Sequence, residues 1–410
     1  MSSHHTVLAG LEAELPWVRD VYQDLHRHPE LSLEEHRTAQ LVAEKLTTFG
    51  YEVTHLGGTG VVGVLSNGEG PTVLARADMD ALPVTEATGL EYSSTVAGVM
   101  HACGHDVHVS TLLGAAKLMA DGRVAWSGTY IALFQPAEEV GAGSQAMVDD
   151  GLVTTVPQPD VALAQHVMPI AAGTVATAAG PVLSAGDSLR ITVFGKGAHG
   201  SMPHMAVDPV VLASSIVLRL QTVVSRETKP GDFAVVTVGA LNAGTKSNII
   251  PDRATLLLNI RTYDNQVRTA VLAAIERIVR GECVTAGSPQ EPEFEYYDQF
   301  PLTTNDEAVT AKVTEAFTAH FGADAVHSAT RQTASEDFSR IPDAFGVPYT
   351  FWMIGGADPE TYRAAVANGT VSKDIPANHS PFFAPVLDPT LEVGVRAQVV
   401  AALTYLCGSA

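Results

Sequence analysis

The stretch TVLARADMDALP, residues 72–83, joins an apolar run to two aspartates. Apart from Arg76, residues 72–77 are apolar or β-branched, which predicts a buried strand, and Asp78 and Asp80 follow where that strand ends. Comparable elements occur along the first half of the chain: apolar runs at 61–65, 129–135 and 161–167, and helical patterns at 11–25, 33–49 and 105–119. Strands that alternate with helices predict an α/β fold with a largely parallel sheet.

The ends of these predicted strands carry the most reactive side chains. Glu138 and Glu139 follow the run 129–135, and His166 lies near the end of the run 161–167. Because ligands of open α/β sheets bind beyond the carboxyl ends of the strands, the active site is expected at this edge.

From about residue 184 the pattern changes. Strand, helix, strand, strand, helix and strand are predicted in turn at 187–195, 206–225, 233–241, 254–261, 265–281 and 293–298. This βαββαβ order is typical of a ferredoxin-like unit. We interpret residues 184–300 as an inserted domain. The surrounding catalytic domain is made of residues 1–183 and 301–410, and its second part contains a predicted strand at 351–356 and a closing helix at 391–406.

Composition narrows the classes of partner. The 410 residues carry a formal net charge of −21, which excludes a nucleic-acid partner because such a partner needs a basic surface. No apolar stretch reaches membrane-spanning length, and the N-terminus has no signal-peptide pattern. Cys103, Cys283 and Cys407 are too few and too scattered for a disulfide framework. We therefore expect a soluble cytoplasmic protein without a membrane partner.

The segment MHACGHDVH, residues 100–108, has the highest density of metal-binding residue types in the chain. Cys103 and His105 flank Gly104, a spacing that suits a turn whose side chains converge on one ion. Thiolate and imidazole are good ligands for zinc and similar metals. The alternative interpretation is a helix start whose polar side chains cap free amide groups.

Adjacent carboxylates at Glu138 and Glu139 suit metal-assisted hydrolysis. Neighbouring side chains point in different directions, so one carboxylate can bind a metal while the other acts as a base toward metal-activated water. An isolated pair of this kind is more often a solvated surface, but this pair lies between an apolar strand and a glycine-rich turn. A set of five candidate ligands, enough for two ions, consists of Cys103, His105, Glu139, His166 and His379.

Further motifs occur in a fixed order along the chain. They are HRHPEL (26–31), RADMDALP (76–83), MHACGHDVH (100–108), the pair 138–139, GKGAHGSMPH (195–204), SNIIPD (247–252), SEDF (335–338) and NHSPFF (378–383). With these motifs the chain resembles the hippurate-hydrolase-type aminoacylases, a group that includes bacterial N-acyl-amino-acid amidohydrolases and plant auxin–amino-acid conjugate hydrolases. The resemblance implies a metallopeptidase-like catalytic domain with a smaller lid domain, through which a homodimer or higher homo-oligomer forms.

The resemblance also implies roles for individual residues. The metal ligands fall on the same five residues, and the general base falls on Glu138. Asp78 would orient the metal ligands. In the inserted domain, His199 would help to stabilise the oxyanion, while Asn248 and Arg261 would bind the amide or carboxylate of the substrate.

One departure from the wider superfamily bears on the metal. Other branches place a metal-binding histidine where this chain has Arg76, and a bridging aspartate where it has Cys103 and His105. The hippurate-type branch shares the pattern of this chain. One or two divalent ions are expected, with zinc favoured by the thiolate and manganese, cobalt or nickel as alternatives.

The expected activity is metal-dependent hydrolysis of the amide bond of N-acyl-L-amino acids, which yields a carboxylic acid and a free amino acid. Within the same chemistry, the alternatives are a dipeptidase or carboxypeptidase and an N-carbamoyl amidohydrolase. A further alternative is a non-catalytic metal-binding or ligand-binding protein on the same scaffold, although the presence of Glu138 argues against the loss of activity. The sequence does not identify the preferred acyl group or amino acid.

Overall fold

The computed structural model describes residues 3–406, so Cys407 lies outside the described residues. The helices are α1 (Ser3–Leu8), α2 (Leu11–Arg27), α3 (His36–Thr48), α4 (His105–Asp121), α5 (Gly143–Asp149), α6 (Leu152–Thr155), α7 (Pro209–Thr222), α8 (Asn265–Ala286), α9 (Glu307–Phe321), α10 (Arg340–Phe345), α11 (Pro359–Asn368), α12 (Val371–Asp374) and α13 (Leu387–Leu406). Within the described range, none of them is both long and apolar enough to cross a membrane.

Sixteen strands accompany these helices in the described part of the chain. They are β1 (Glu52–Leu56), β2 (Gly60–Asn67), β3 (Thr72–Asp78), β4 (Gly128–Gln135), β5 (Val161–Ala171), β6 (Val175–Thr177), β7 (Gly180–Leu183), β8 (Ala185–Phe194), β9 (Ala198–His199), β10 (Ala234–Ala243), β11 (Ile249–Ile250), β12 (Arg253–Thr262), β13 (Glu293–Phe300), β14 (Thr303–Asn305), β15 (Val326–Ser328) and β16 (Tyr349–Ala357).

The chain divides into two compact units. The first contains the residues up to 182, residues 304–330 and the residues from 337 onward. The second contains residues 183–303 and the short segment 331–336. β7 and β14, at the two ends of the long insertion, form a two-stranded sheet of their own.

The first unit is built on an eight-stranded sheet with the order β1-β2-β4-β3-β5-β16-β6-β15. The four central strands, β4, β3, β5 and β16, are parallel to one another. β1, β2 and β4 pair in antiparallel fashion, as do β16 and β6. The α/β class is confirmed. The sheet is parallel at its centre and between β6 and β15 at one edge, whereas the pairings β1–β2, β2–β4 and β16–β6 are antiparallel. β1 and β2 can be antiparallel because a three-residue turn joins them, whereas parallel neighbours need a long crossover.

Helix α4 lies at the centre of the first unit and packs against α2, α13 and β3. Its side chains are buried almost all round, which explains why its sequence is apolar on most faces. β3 is likewise buried along nearly its whole length. The N-terminus of α4 and the C-terminal end of β3 meet, because Asp78 at the end of β3 is hydrogen-bonded to His108 in the first turn of α4.

The second unit contains β8, α7, β10, β12, α8 and β13 in that order along the chain, with a four-stranded antiparallel sheet of order β10-β12-β8-β13. Side chains of β12 alternate between buried and less buried positions, as expected for a sheet with one face in a core. Helices α7 and α8 pack against each other and cover that face. The predicted ferredoxin-like topology is therefore confirmed.

Some helices and strands begin or end a few residues away from their predicted boundaries, for local reasons. The helix predicted at 206–225 begins at Pro209, because the Asp208 side chain accepts hydrogen bonds from the Val210 and Val211 amides and caps the first turn. The strand predicted at 161–167 continues to Ala171.

Candidate metal centre

A tight turn precedes α4 and separates two of the predicted ligands. Gly104, the residue before the helix, has a φ of +87°. A Cβ atom at this position would lie 2.3 Å from Cγ1 of Val167, so a larger residue would collide with the neighbouring strand. The glycine lets the backbone reverse here, with Cys103 on one side of it and His105 on the other.

The structure brings all five predicted ligands together. Ligand atoms of Cys103, His105 and His166 lie within 4.8 Å of one another, and those of Cys103, Glu139 and His379 form a second such group. The Cys103 sulfur is 3.5 Å from His166 Nε2, and His379 Nε2 is 3.4 Å from Glu139 Oε2. The two groups share Cys103 and therefore form one continuous cluster.

Two further acidic residues lie beside this cluster. Glu138 Oε2 is 3.9 Å from His105 Nε2, and Asp78 Oδ2 is 3.6 Å from the same nitrogen. Glu138 is almost completely buried, and the side chain of Asp78 is fully buried. The predicted base and the predicted orienting residue thus lie next to the predicted ligands.

The cluster fits a divalent cation in its chemistry. Within residues 3–406, His105 Nε2 and Glu139 Oε1 are buried atoms without a hydrogen-bond partner. Buried polar atoms rarely remain in that state, and carboxylates gathered in one place repel one another. A bound cation would satisfy both requirements, and the set of sulfur, imidazole and carboxylate donors suits zinc and similar metals.

The pKa values of two candidate ligands differ in what they require of a metal. Burial, together with the carboxylates of Glu139 and Glu138, raises the pKa of the Cys103 thiol well above its ordinary value. A thiolate in this place therefore requires a compensating cation. Burial, with a contribution from His108, lowers the pKa of His166 well below its ordinary value and keeps the imidazole in the neutral form that binds metals.

Asp80 holds His105 from the side away from the cluster. Its carboxylate lies 3.2 Å from His105 Nδ1, and it accepts hydrogen bonds from Ser32 Oγ at 2.6 Å and from the Glu139 amide at 3.0 Å. A partner at Nδ1 leaves Nε2 as the nitrogen available to a metal. Burial lowers the pKa of His105, but Asp78 and Asp80 outweigh it and raise the value to about 10.

Asp78 is held by a second set of contacts. Arg76, a fully buried residue, donates to Asp78 Oδ2 at 2.7 Å, and His108 Nδ1 is hydrogen-bonded to Asp78 Oδ1. His108 Nε2 accepts from the Val167 amide at 2.8 Å. Burial alone would raise the pKa of Asp78, but Arg76 and His105 lower it well below its ordinary value.

The loop that carries His379 is fixed by its backbone and by its neighbour. His379 has a φ of +69°, and its amide donates to the Ala102 carbonyl at 2.7 Å. The side chain of Asn378 donates to the carbonyls of Cys103 at 3.1 Å and Val167 at 3.2 Å. The motif NHSPFF thus ties the loop to the turn before α4 and to β5.

The predicted catalytic residue His199 and the two predicted substrate-binding residues, Asn248 and Arg261, belong to the second unit. His199 on β9 pairs in register with Ile249 on β11, and the Gly200 amide donates to the Asn248 carbonyl at 2.8 Å, so His199 and Asn248 lie close together. Both are exposed. Arg261 lies on β12 and donates to Asn259 Oδ1 at 3.0 Å and to Ser335 Oγ.

Sequence reasoning did not assign roles to Asp80 and His108. The spacing of Asp78 and Asp80 was a usable signal, because residues two apart at the end of a strand project to the same side. His108 stands four residues after Gly104 in a motif already singled out, but its contact with Asp78 depends on the way α4 packs on β3. No local pattern identifies such a contact.

An α/β domain with imidazole, thiolate and carboxylate groups clustered at the ends of its central strands is typical of metal-dependent hydrolases. A family model described as peptidase family M20/M25/M40 matches residues 74–378. The chain belongs to this family and is therefore a hydrolase.

Individual relatives confirm the resemblance recognised from the motifs. N-acetyl-L-cysteine deacetylase of Bacillus subtilis (strain 168) is 38% identical over 345 residues, covering 82% of this chain and 80% of the relative. Hippurate hydrolase of Campylobacter jejuni subsp. jejuni serotype O:2 is 41% identical over 306 residues, covering 74% of this chain and 78% of the relative. The solved structure of the Bacillus subtilis YXEP protein, described as a dinuclear metal-binding peptidase of the M20 family, has a TM-score of 0.77 at 28% identity and covers 96% of this chain and 99% of its own.

Proposed function

We propose that this protein hydrolyses the amide bond of N-acyl-L-amino acids and releases a carboxylic acid and a free amino acid. The observation that carries the proposal is the position of Glu138, whose Oε2 lies 3.9 Å from the candidate ligand His105 while Glu139 faces His379. The similarity to a deacetylase and to a hippurate hydrolase, both of which act on acylated amino acids by name, supports the same substrate class.

The residues proposed to hold one or two divalent ions are Cys103, His105, Glu139, His166 and His379. When bound, such an ion lowers the pKa of water and polarises a carbonyl group. Zinc is our first choice, because thiolate and imidazole donors occur together, and manganese, cobalt and nickel are the alternatives. A thiolate ligand must stay reduced, which is consistent with the cytoplasmic location expected from the sequence.

The chain's own side chains divide the remaining chemistry. Glu138 takes a proton from the attacking water and then delivers it to the departing amine nitrogen, which would otherwise be a poor leaving group. Asp80 orients His105 through its contact with Nδ1, and we assign Asp78 to the support of the ligands through its hydrogen bond to His108. We assign His199 to the oxyanion, Asn248 to the amide and Arg261 to the carboxylate of the substrate, where a guanidinium can pair in bidentate fashion.

Substitution of Glu138 tests this assignment. We expect Glu138→Gln to fold, to retain its metal by elemental analysis and to lose about a thousandfold in kcat, because the amide cannot accept the proton. Glu34→Gln, at a highly exposed carboxylate, is the matched control and should keep full activity. Near-normal turnover by Glu138→Gln would remove Glu138 as the base.

A substrate panel distinguishes the remaining activities. The metal-loaded protein is assayed with N-acetyl, N-benzoyl, long-chain N-acyl and N-carbamoyl amino acids beside simple dipeptides. Cleavage of the N-acyl amino acids is the expected result. Cleavage of dipeptides alone would assign the protein to the peptidases, and a metal-loaded protein without turnover on any substrate would support the non-catalytic alternative.

We also propose that the second unit serves as the lid and as the dimerisation domain. Its edge strand β10 exposes Val235 and Leu241, each 39% accessible, and helix α7 exposes Val211 at 62% and Leu218 at 74%. An unpaired strand edge next to exposed apolar side chains favours association with a second copy.

The oligomeric state provides the test of this role. We expect a dimer by light scattering, and we expect Leu218→Glu to shift it toward the monomer. Val284→Glu, at an equally exposed apolar residue on α8, should leave the dimer intact. A monomeric wild-type protein would contradict the proposed role.

A further inference from the structure

Glu35 is a fully buried carboxylate that binds one backbone amide of its own segment and one of a segment far away in the sequence. Its Oε1 accepts hydrogen bonds from the Leu33 amide at 3.0 Å and from the Ala137 amide at 2.8 Å. Its Oε2 accepts a hydrogen bond from Thr59 Oγ1. One carboxylate therefore joins the start of α3, the beginning of β2 and the turn after β4.

Both amides on Oε1 belong to residues with unusual backbone conformations. Leu33 has a φ of +69° and Ala137 a φ of +48°. Residues other than glycine occupy this left-handed region only at a cost, so they need an interaction that holds them there. Here the same oxygen atom accepts the hydrogen of each, which makes Glu35 the group that stabilises both.

The conformation of Ala137 determines where the next two side chains point. Ala137 is fully buried and immediately precedes Glu138 and Glu139. Its carbonyl accepts from the Ala142 amide at 3.2 Å and the Gly143 amide at 3.1 Å, which closes the turn around the glutamate pair. A change of φ at Ala137 would rotate both carboxylates relative to the rest of the cluster.

The segment around Glu35 supports the same turn at a second point. Ser32 donates to Asp80, and Asp80 accepts the Glu139 amide at 3.0 Å. Residues 32–35 thus hold the turn at two backbone amides. Glu35 accepts the hydrogen bond of the Ala137 amide directly, and Ser32 contacts Asp80, which accepts the hydrogen bond of the Glu139 amide.

We propose that Glu35 is a positioning residue for the Glu138–Glu139 turn: it holds Ala137 in the left-handed conformation, so that Glu138 faces the reacting water and Glu139 faces the metal ligands. The proposal rests on the function proposed above. Glu35 acts through Ala137 and so belongs to the support of the site.

Substitutions at Glu35 and Ala137 test the proposal together. We expect Glu35→Leu to lower kcat by about 10- to 100-fold, the usual effect of losing a residue that orients metal ligands, with little change in KM. Glu35→Gln should keep most of the activity, because its carboxamide oxygen can still accept the Ala137 amide. Ala137→Gly, added to Glu35→Leu, should recover about fivefold, since glycine adopts a left-handed φ without the roughly 1 kcal/mol penalty.

Glu30→Leu is the matched control. Glu30 is also a carboxylate that accepts backbone amides, from Arg37 at 2.9 Å and Thr38 at 2.8 Å, at the same helix start. The substitution Glu30→Leu should lower the stability of the protein without lowering kcat. An equal loss of kcat in Glu30→Leu and Glu35→Leu, or no recovery with Ala137→Gly, would overturn the proposal.

A spectroscopic measurement separates this proposal from the proposed function. In the cobalt-loaded protein, Glu35→Leu should shift the visible d–d bands, because Glu139 moves, whereas Glu138→Gln should leave them in place. An active Glu138→Gln variant would refute the assignment of Glu138 as the base. Independently of that result, unchanged cobalt bands in Glu35→Leu would refute the positioning role of Glu35. If Glu35→Leu does not fold, Thr59→Val provides a milder disturbance, and the same recovery with Ala137→Gly is required.

Discussion

Cys103 is the residue on which the choice of metal depends most. Because burial and two neighbouring carboxylates raise the pKa of its thiol, the thiolate forms only with a cation in place. We expect Cys103→Ala to lose most of its bound metal, measured by elemental analysis after gel filtration. Cys283→Ala, at a buried cysteine in the core of the second unit, is the control and should retain the full metal content. Full occupancy and full activity in Cys103→Ala would rule out the thiolate ligand.

Residue types and spacing were enough to predict that the five candidate ligands lie close together, but Asp80, His108 and Glu35 were not assigned supporting roles. Cysteine and histidine crowded into one short motif, and glutamate after a predicted strand, carry a chemical signal that is visible without coordinates. Glu35 carries none, because its partner Ala137 is 102 positions away and offers only a backbone amide. Any buried carboxylate could fill that role, and only the packed structure shows which one does.

The turn before α4 gives a prediction at the scale of a secondary-structure element. Gly104→Ala combines a left-handed φ with a steric overlap against Val167, so it should both destabilise the protein and weaken metal binding. Gly58→Ala is the control, because Gly58 has a φ of +86° and open space around the position of a Cβ atom. It should cost about 1 kcal/mol in the free energy of unfolding and leave the metal content unchanged. Equal effects of the two substitutions would show that the contact with Val167 does not matter.

A partly buried ion pair joins a strand to a helix in the second unit. Arg268 on α8 donates to both carboxylate oxygens of Asp187 on β8 at 2.8 and 2.6 Å, and Asp187 is 1% exposed. Arg268→Met leaves that carboxylate without its cation, so we expect a loss of about 3 kcal/mol in the free energy of unfolding. Arg253→Met, which breaks an exposed pair with Asp252, should change it by less than about 0.5 kcal/mol. Chemical denaturation of both variants measures the difference.

The sequence predicts that the central strands exist, but it does not predict their order in the sheet. The apolar runs of β3, β4 and β5 predicted strands correctly, yet nothing in them states that β4 lies between β2 and β3. β1 was missed because its residues are mostly exposed at the edge of the sheet and so lack an apolar run. Helix α9 is likewise not predicted from the sequence.

The charge of the whole molecule gives a prediction about substrate capture. A net charge of −21 repels an anionic N-acyl amino acid, and this repulsion is screened as salt is added. We expect kcat/KM to rise by about two- to tenfold between roughly 0.01 M and 0.15 M ionic strength. A neutral N-acyl amino-acid amide, however slowly it is cleaved, should show no such rise. A fall of kcat/KM with salt for the anionic substrate would indicate that local positive charge dominates over the net charge.

The pairing of β7 with β14 has a consequence for the evolution of the protein. The chain leaves the first unit at the end of β7 and returns at the start of β14, and these strands are neighbours in one small sheet. A segment whose two ends lie side by side can be lengthened, shortened or replaced with only a small change in loop-closure entropy. This junction is therefore a favourable point for recombination, where a single genetic event could exchange the whole insert. The short segment 331–336 is the part of the second unit that such an exchange would leave behind, to be adapted by later point mutations.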